Sequence, residues 1–266
     1  MPRSNNAELK PLLWRLVGIV VFLAIWQFGA TLVKSDLILP RPLQVLSALL
    51  QLLTKASFWS SVAGSLLRVL EAFFLSTLFG LVSGTMSGFK PQIKAFMSPF
   101  ITGVRATPVL ALILLAMFWF PSSQVPVFSA ILMAFPIMHT STESGVHAAD
   151  QKLVQMSNLF HVPKSTVFWR LRLPSALPYL LAGAKNALGL SWKVVVAGEV
   201  LSQPQMALGT GMQDARLTLE TPSVFAWAIT TILFCGLSEY FFGVFANKLS
   251  LQYQAAQDEE TERGKQ

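Results

Sequence analysis

Cysteine is nearly absent: Cys235 stands alone among 266 residues, so an internal disulfide framework and a thiolate metal cluster are both excluded. Histidine is scarce too. His139, His147 and His161 all fall within one short stretch, which leaves poor material for a nucleophile activated by a distant base. No phosphate-cradling loop is present. Gly209-Thr210-Gly211 comes nearest, but no Lys-Ser follows it and no strand precedes it, so it reads as a turn. Any work driven by ATP must then draw on another polypeptide. His139, Glu143 and His147 recur every four residues and share a helix face, yet no fourth ligand accompanies them. They read as the polar end of a helix, with no metal and no cofactor expected. Internal repeats of the kind that build ion-driven secondary transporters are also missing, since the long polar loop occurs once.

Charge is the last shortage, at 12% of residues against 53% hydrophobic, and this is outside the range of soluble domains. The net charge of +7 comes from basic residues scattered between apolar segments, a distribution that fits membrane topology and not nucleic acid. Six apolar runs follow in order: Leu16 to Val33, Val62 to Phe89, Ala106 to Phe120, Val125 to about His139, Tyr179 to Leu201, and Val224 to Ala246. Most approach the roughly 20 residues needed to cross a bilayer core of about 30 Å. The fourth is short and is expected to continue as a helix beyond the membrane. A cleaved signal peptide is the rival reading of the first, which is long for that purpose and has no clean small-x-small site after it. Between the first two runs, Pro40-Arg41-Pro42 turns the chain and Leu43 to Lys55 reads as a short amphipathic helix. Arg68 and Glu71 interrupt the second run three residues apart, placed to pair on one face.

Basic residues set the orientation. Arg3, Lys10, Arg15, Lys90, Lys94, Lys152, Lys164, Arg170, Arg172, Lys248, Arg263 and Lys265 fall on one side, against Lys34, Arg41, Lys55 and Arg216 on the other. The richer side is cytoplasmic by the positive-inside rule, and both termini lie there. The chain divides into a polar tail (1–15), a transmembrane domain (16–248) and a charged tail (249–266) with the composition of a disordered segment.

The stretch from Asp150 to Pro178 is the longest interior segment that no membrane accepts, because Lys152, Lys164, Arg170 and Arg172 lie in it. Leu153 to Phe160 reads as a helix ended at His161, a residue that tolerates the left-handed region better than most non-glycines. Pro163 suits the first turn of a second helix, from Lys164 to Leu173, which Pro174 and Pro178 close. Gln155-Met156-Ser157, three residues, His161, nine residues and Leu171-Arg172-Leu173-Pro174 keep a known spacing. It resembles the Glu-Ala-Ala, Gly, Ile-x-Leu-Pro pattern in the permease subunits of binding-protein-dependent ABC importers. Four letters depart: Gln155 for Glu, Met156 and Ser157 for the two Ala, and His161 for Gly. The segments LPRPLQVLSAL, SLLRVLEAF, RLPSALPYLLAGAKNALGLSW and AGEVL are similar to the nitrate, sulfonate and taurine branch.

That resemblance implies an all-α integral membrane protein of six transmembrane helices with a cytoplasmic two-helix coupling loop, in a bacterial inner membrane. It implies that Gln155, Met156, Ser157, His161, Pro163, Leu171, Leu173 and Pro174 couple to a cytosolic ATP-binding subunit. A second permease copy (a homodimer in preference to a heterodimer), an extracytoplasmic solute-binding protein and membrane lipid complete the partners, and the chain itself is no enzyme. The solute it implies is a small anion such as nitrate, taurine or an alkanesulfonate, with a vitamin or pyrimidine precursor as the alternative.

Charges inside the fifth run sharpen this. A Lys or Glu near a helix centre costs at least about 2.5 kcal/mol by insertion scales, so Lys193 and Glu199 must be paired or face an aqueous path. Lys193 falls near the midplane, paired with Glu199 or Glu239 on one reading. On the other it lines the translocation path with Arg105 and Glu199, offering positive potential to an anion.

Overall fold

A computed structural model describes residues 6–263, with side chains placed from 13 to 250. Arg3 and Lys265 of the orientation count lie outside the described residues. Every described element is a helix. In chain order they are α1 (Asn6–Val33), α2 (Pro42–Leu53), α3 (Ala56–Phe89), α4 (Pro91–Ala106), α5 (Val109–Ala116), α6 (Val125–His147), α7 (Gln151–Leu159), α8 (Lys164–Val167), α9 (Leu173–Ser202), α10 (Leu208–Leu217) and α11 (Thr221–Arg263). A π-helical turn, Phe168–Arg172, joins α8 to α9.

Among the described residues, four helical stretches are long and apolar enough to cross a membrane: Leu13–Val33, Ala56–Phe89, Val125–His147 and Thr221–Ser250. α6 runs past His139 to His147, as its short apolar run required. α1 and α11 reach further toward the termini than their apolar runs, since helix continues through residues read as unstructured tails.

The third apolar run forms only a short helix, α5, and α4 before it is a helix that the apolar runs did not announce. α4 and α5 meet at 99°, and α5, with 8 residues, spans only about 12 Å. Pro108 is the cause. It cannot donate a backbone hydrogen bond and it drives the preceding residue out of the helical region; Thr107 duly sits at φ −75°, ψ 128°. Arg105, in the last turn of α4, is exposed at this elbow.

A second difference lies at Pro174. The expected break between the loop helix and the fifth run does not occur. Proline lacks a donor but is tolerated in a first turn, and the π-helical turn just before it shifts the hydrogen-bond register, Leu173 N–H donating to the Phe168 carbonyl. Pro178 likewise lies inside α9.

The core is built around α6, which packs between α3 and α9. Lipid tails are as apolar as leucine, so close backbone approach, not water exclusion, must hold such helices together. The α3 row Gly80, Gly84 and Gly88 provides it. A Cβ on Gly84 would lie 2.5 Å from the His139 carbonyl oxygen, and one on Gly80 would lie 2.3 Å from the Met138 Cβ. Gly183 and Gly198 do the same for α9, against Ser141 and Pro126 of α6.

These contacts also fix directions. Positions 80, 84 and 88 of α3 meet positions of α6 that rise with them, so the two run parallel. α9 runs against both, since Gly198 meets Pro126 and Ser65 bonds Glu199. α11 opposes α9 in turn, with Glu239 against Gly189. One end of the bundle therefore gathers Ser65, Ser122, Glu199 and α10, and the other gathers Phe89, Val146, Arg172 and the α7–α8 loop.

Candidate functional site

Three places in the molecule combine polar chemistry with strategic position. The first is the α7–α8 loop. Asp150 caps α7, its carboxylate accepting from Lys152 N–H at 2.8 Å. His161 takes φ 55°, the left-handed conformation anticipated for it. Around it His161 N–H donates to Asn158 O at 3.2 Å and Val162 N–H to Ser157 O at 2.9 Å. These two bonds are the Schellman closure that satisfies the last helix carbonyls. Pro163, at φ −54°, then starts α8. Val154 alone of α7 is buried, and Ser157 turns its hydroxyl back to the Val154 carbonyl at 2.8 Å.

Everything else on this pair faces outward. Gln155 and Met156 are exposed, Leu159 is 74% and Phe160 68% exposed, and Trp169 is 61% exposed. Leu171, Leu173 and Pro174 are half-buried where the pair rejoins the bundle. Such apolar exposure on a segment too charged for lipid marks a surface for another protein.

The second place is at the opposite end. Glu199 is fully buried, and its partner is Arg68, Nη1 to Oε1 at 3.0 Å. This replaces both pairings expected from the sequence. Glu71 faces outward without an ion pair among the described residues, and Lys193 comes within 4.0 Å of neither Glu199 nor Glu239. Arg68 also donates to the carbonyls of Met206 at 3.1 Å and Gln205 at 2.8 Å. Ser65 Oγ lies 2.8 Å from both Glu199 oxygens and accepts from Leu208 N–H at 2.9 Å. Gly209 N–H donates to Glu199 Oε2 at 3.1 Å.

This cluster is a helix cap supplied from elsewhere in the chain. Ala207, at the cap position of α10, has no side-chain acceptor. Glu199 and Ser65 take the first free amides instead, and the carboxylate sits where the helix dipole favours an anion. Gly209 and Gly211, read as a turn, lie within the first turn of α10. Gly209 is glycine because a Cβ there would fall 2.5 Å from the Glu199 Cβ. The cluster also holds two left-handed residues in the connecting turn, Gln203 at φ 48° and Met206 at φ 50°.

The third place is a stripe along α9. Ala182, Lys185, Asn186 and Lys193 are exposed on the side from which α11 lays Glu239 against Gly189. One turn separates Gly189 from each lysine, so positive, negative and positive groups follow one another along the helix. Arg105 has no ion pair among the described residues.

The histidine stripe on α6 makes a different set of contacts. His139 Nδ1 lies 2.9 Å from Ser83 Oγ, its Nε2 is 3.8 Å from Glu143, and Glu143 pairs with Lys94 at 2.5 Å. His147 is exposed, and no group of three such ligands converges among the described residues.

This architecture matches a known family. Residues 76–251 match the family described as the binding-protein-dependent transport system inner membrane component. The chain belongs to that family. The taurine transport system permease protein of Escherichia coli is 32% identical over 215 residues, covering 78% of each chain. The bicarbonate transport system permease protein of Synechococcus elongatus is 30% identical over 220 residues, again covering 78% of each. A putative aliphatic sulfonates transport permease of Bacillus subtilis is 27% identical over 231 residues, covering 86% of this chain and 83% of that one. Among solved structures, the inward-facing methionine ABC transporter aligns at a TM-score of 0.58 and 16% identity, over 75% of this chain and 99% of its own. An amino acid ABC transporter crystallised with histidines aligns at 0.56, over 73% and 94%. At such identity these two speak for the fold alone. The chain is thus a multi-pass membrane permease of an ABC importer, of the nitrate, sulfonate and taurine type.

Proposed function

We propose that this chain forms the solute path of an ATP-driven importer for a small anion and docks through α7 and α8 on a separate cytosolic ATPase. The observation that carries this reading is the outward-facing apolar surface of Leu159 and Phe160, held in a fixed capped geometry on a segment too basic for the bilayer. Gln155, Met156, Ser157, His161 and Pro163 shape that surface, and Leu171, Leu173 and Pro174 carry its displacement into α9. ATP is hydrolysed on the partner.

The membrane domain, residues 16–248, crosses six times, by α1, α3, the bent α4–α5 pair, α6, α9 and α11. The 30 residues of α9 are long enough, and its polar stripe faces the path in place of lipid. Both termini and the α7–α8 pair are cytoplasmic, so α2 and α10 meet an extracytoplasmic binding protein. A second copy of the chain closes the path. Lys193 and Arg105 attract the anion; Glu199 contributes by anchoring α10. Taurine, sulfonate and bicarbonate permeases among the relatives favour a small anion over a vitamin or pyrimidine precursor.

Purification of the tagged chain from its native membranes tests this. An ATP-binding subunit is expected to co-purify in similar amount and to be lost from the Leu159→Asp/Phe160→Asp variant. A chain that purifies with no ATP-binding subunit, while still supporting uptake, overturns the proposal.

A further inference from the structure

A cavity of about 290 Å³ lies beneath the junction of the π-helical turn and α9, walled by Leu81, Phe89, Val146 and Leu180. Its polar lining is small: Thr85, Thr142 and Arg172. Arg172 lines it and stacks its guanidinium 5.0 Å from the centre of the Phe89 ring, with no carboxylate within 4.0 Å among the described residues. Thr142 lines it from α6, 3% exposed, with a buried hydroxyl that has no hydrogen-bond partner in the structure. A buried hydroxyl without a partner is costly, and a cavity carrying one beside a free cation is incomplete as it stands.

The location narrows what completes it. The cavity sits where α3 ends at Phe89 and Lys90, at the end of the bundle that bears the basic loop. With that end cytoplasmic, as proposed above, this is the depth at which phospholipid headgroups meet the acyl region. An apolar chamber with one cation matches an amphiphile that carries a negative head, and it has too few donors to enclose a free inorganic anion. Basic pockets between transmembrane helices on the cytoplasmic side hold anionic lipid in this manner.

We propose that this cavity is a binding site for one anionic phospholipid, its phosphodiester on Arg172 and part of an acyl chain along the Leu81, Val146 and Leu180 wall. The π-helical turn has a role in this. Phe168 and Arg172, its first and last residues, both line the cavity, and α9 continues unbroken after them. Lipid bound there braces the segment between the α7–α8 pair and α9, so the site rests on the membrane orientation proposed above for its depth and on the coupling role for its consequence.

The full-length chain, reconstituted in phosphatidylcholine nanodiscs with or without phosphatidylglycerol, tests it by native mass spectrometry after release into detergent. Wild type is expected to retain one phosphatidylglycerol per chain. Arg172→Leu, which removes the cation, and Leu180→Trp, which fills the chamber with the cation intact, are each expected to lower retention about tenfold. Phosphatidylglycerol should also raise the unfolding temperature of wild type, and of neither variant. Equal retention by wild type and both variants overturns the site, as does equal stabilisation by phosphatidylcholine or by inorganic phosphate alone. Retention is read on the permease itself, so loss of ATPase docking leaves it unchanged and the two proposals fail separately.

Discussion

Arg68 and Glu199 lie 131 residues apart and share one buried hydrogen-bond cluster, so neither is replaceable alone. Removing one partner of such a pair strands the other charge, typically at a cost of about 3–5 kcal/mol. Glu199→Ala and Arg68→Met are each expected to lower the unfolding temperature of the detergent-purified chain and expose the 203–209 turn to protease. The double variant should cost less than the two singles added. Unchanged stability in both singles would remove the cluster from any structural role. His161 gives the opposite sign. A non-glycine residue in the left-handed region costs about 1–2 kcal/mol, so His161→Gly should slow hydrogen exchange at the His161 and Val162 amides, and His161→Val should speed it. The conformation of His161 was legible locally, because Pro163 and the helical stretch before it bracket the position. Arg68 was misread because Glu71 was near in sequence, and nothing local reveals a partner more than a hundred residues away.

Elements were legible where one periodicity ruled and misread where two signals competed. The stretches that became α3 and α6 declared themselves through apolar runs, α2 through the proline at its start, and α7 through His161 and Pro163 beyond its end. Pro108 separates α4 from α5 at the start of the third run because it drives Thr107 out of the helical region. Pro174 failed to end its helix because a π-helical turn absorbed it. The row Gly80, Gly84 and Gly88 stood in plain view at four-residue spacing, and only the approach of α6 shows its purpose. Gly84→Leu is expected to force α3 and α6 apart, lowering stability by at least the roughly 1–3 kcal/mol of overpacking. Gly236→Ala, where a Cβ meets nothing within 4 Å, should be neutral. Thermal unfolding of the two variants side by side decides it, and equal destabilisation would contradict the packing argument.

For the whole molecule, the bundle sets a capped α10 at one end and a projecting helix pair at the other, with α9 running between them. On the proposed coupling role, a push on α7 and α8 would reach the far end through α9, and Lys193 lies partway along that helix. Lys193→Met is therefore expected to reduce uptake of an anionic solute about tenfold or more in cells that keep the protein in the membrane; undiminished uptake would take Lys193 out of the path. The helix pair was legible from the spacing between Gln155 and Pro174, and α7 and α8 form it, while the solute was not, because no residue of this chain spells out a ligand. Disulfide crosslinking tests the central claim most directly, with Gln155→Cys or Ser165→Cys introduced into a chain whose Cys235 has been replaced. Both positions are exposed. A crosslink to a cytosolic ATP-binding subunit, weakened or strengthened by ATP, is the predicted result. The contradicting result is no crosslink at either position while a water-soluble thiol reagent still labels both from the cytoplasmic side.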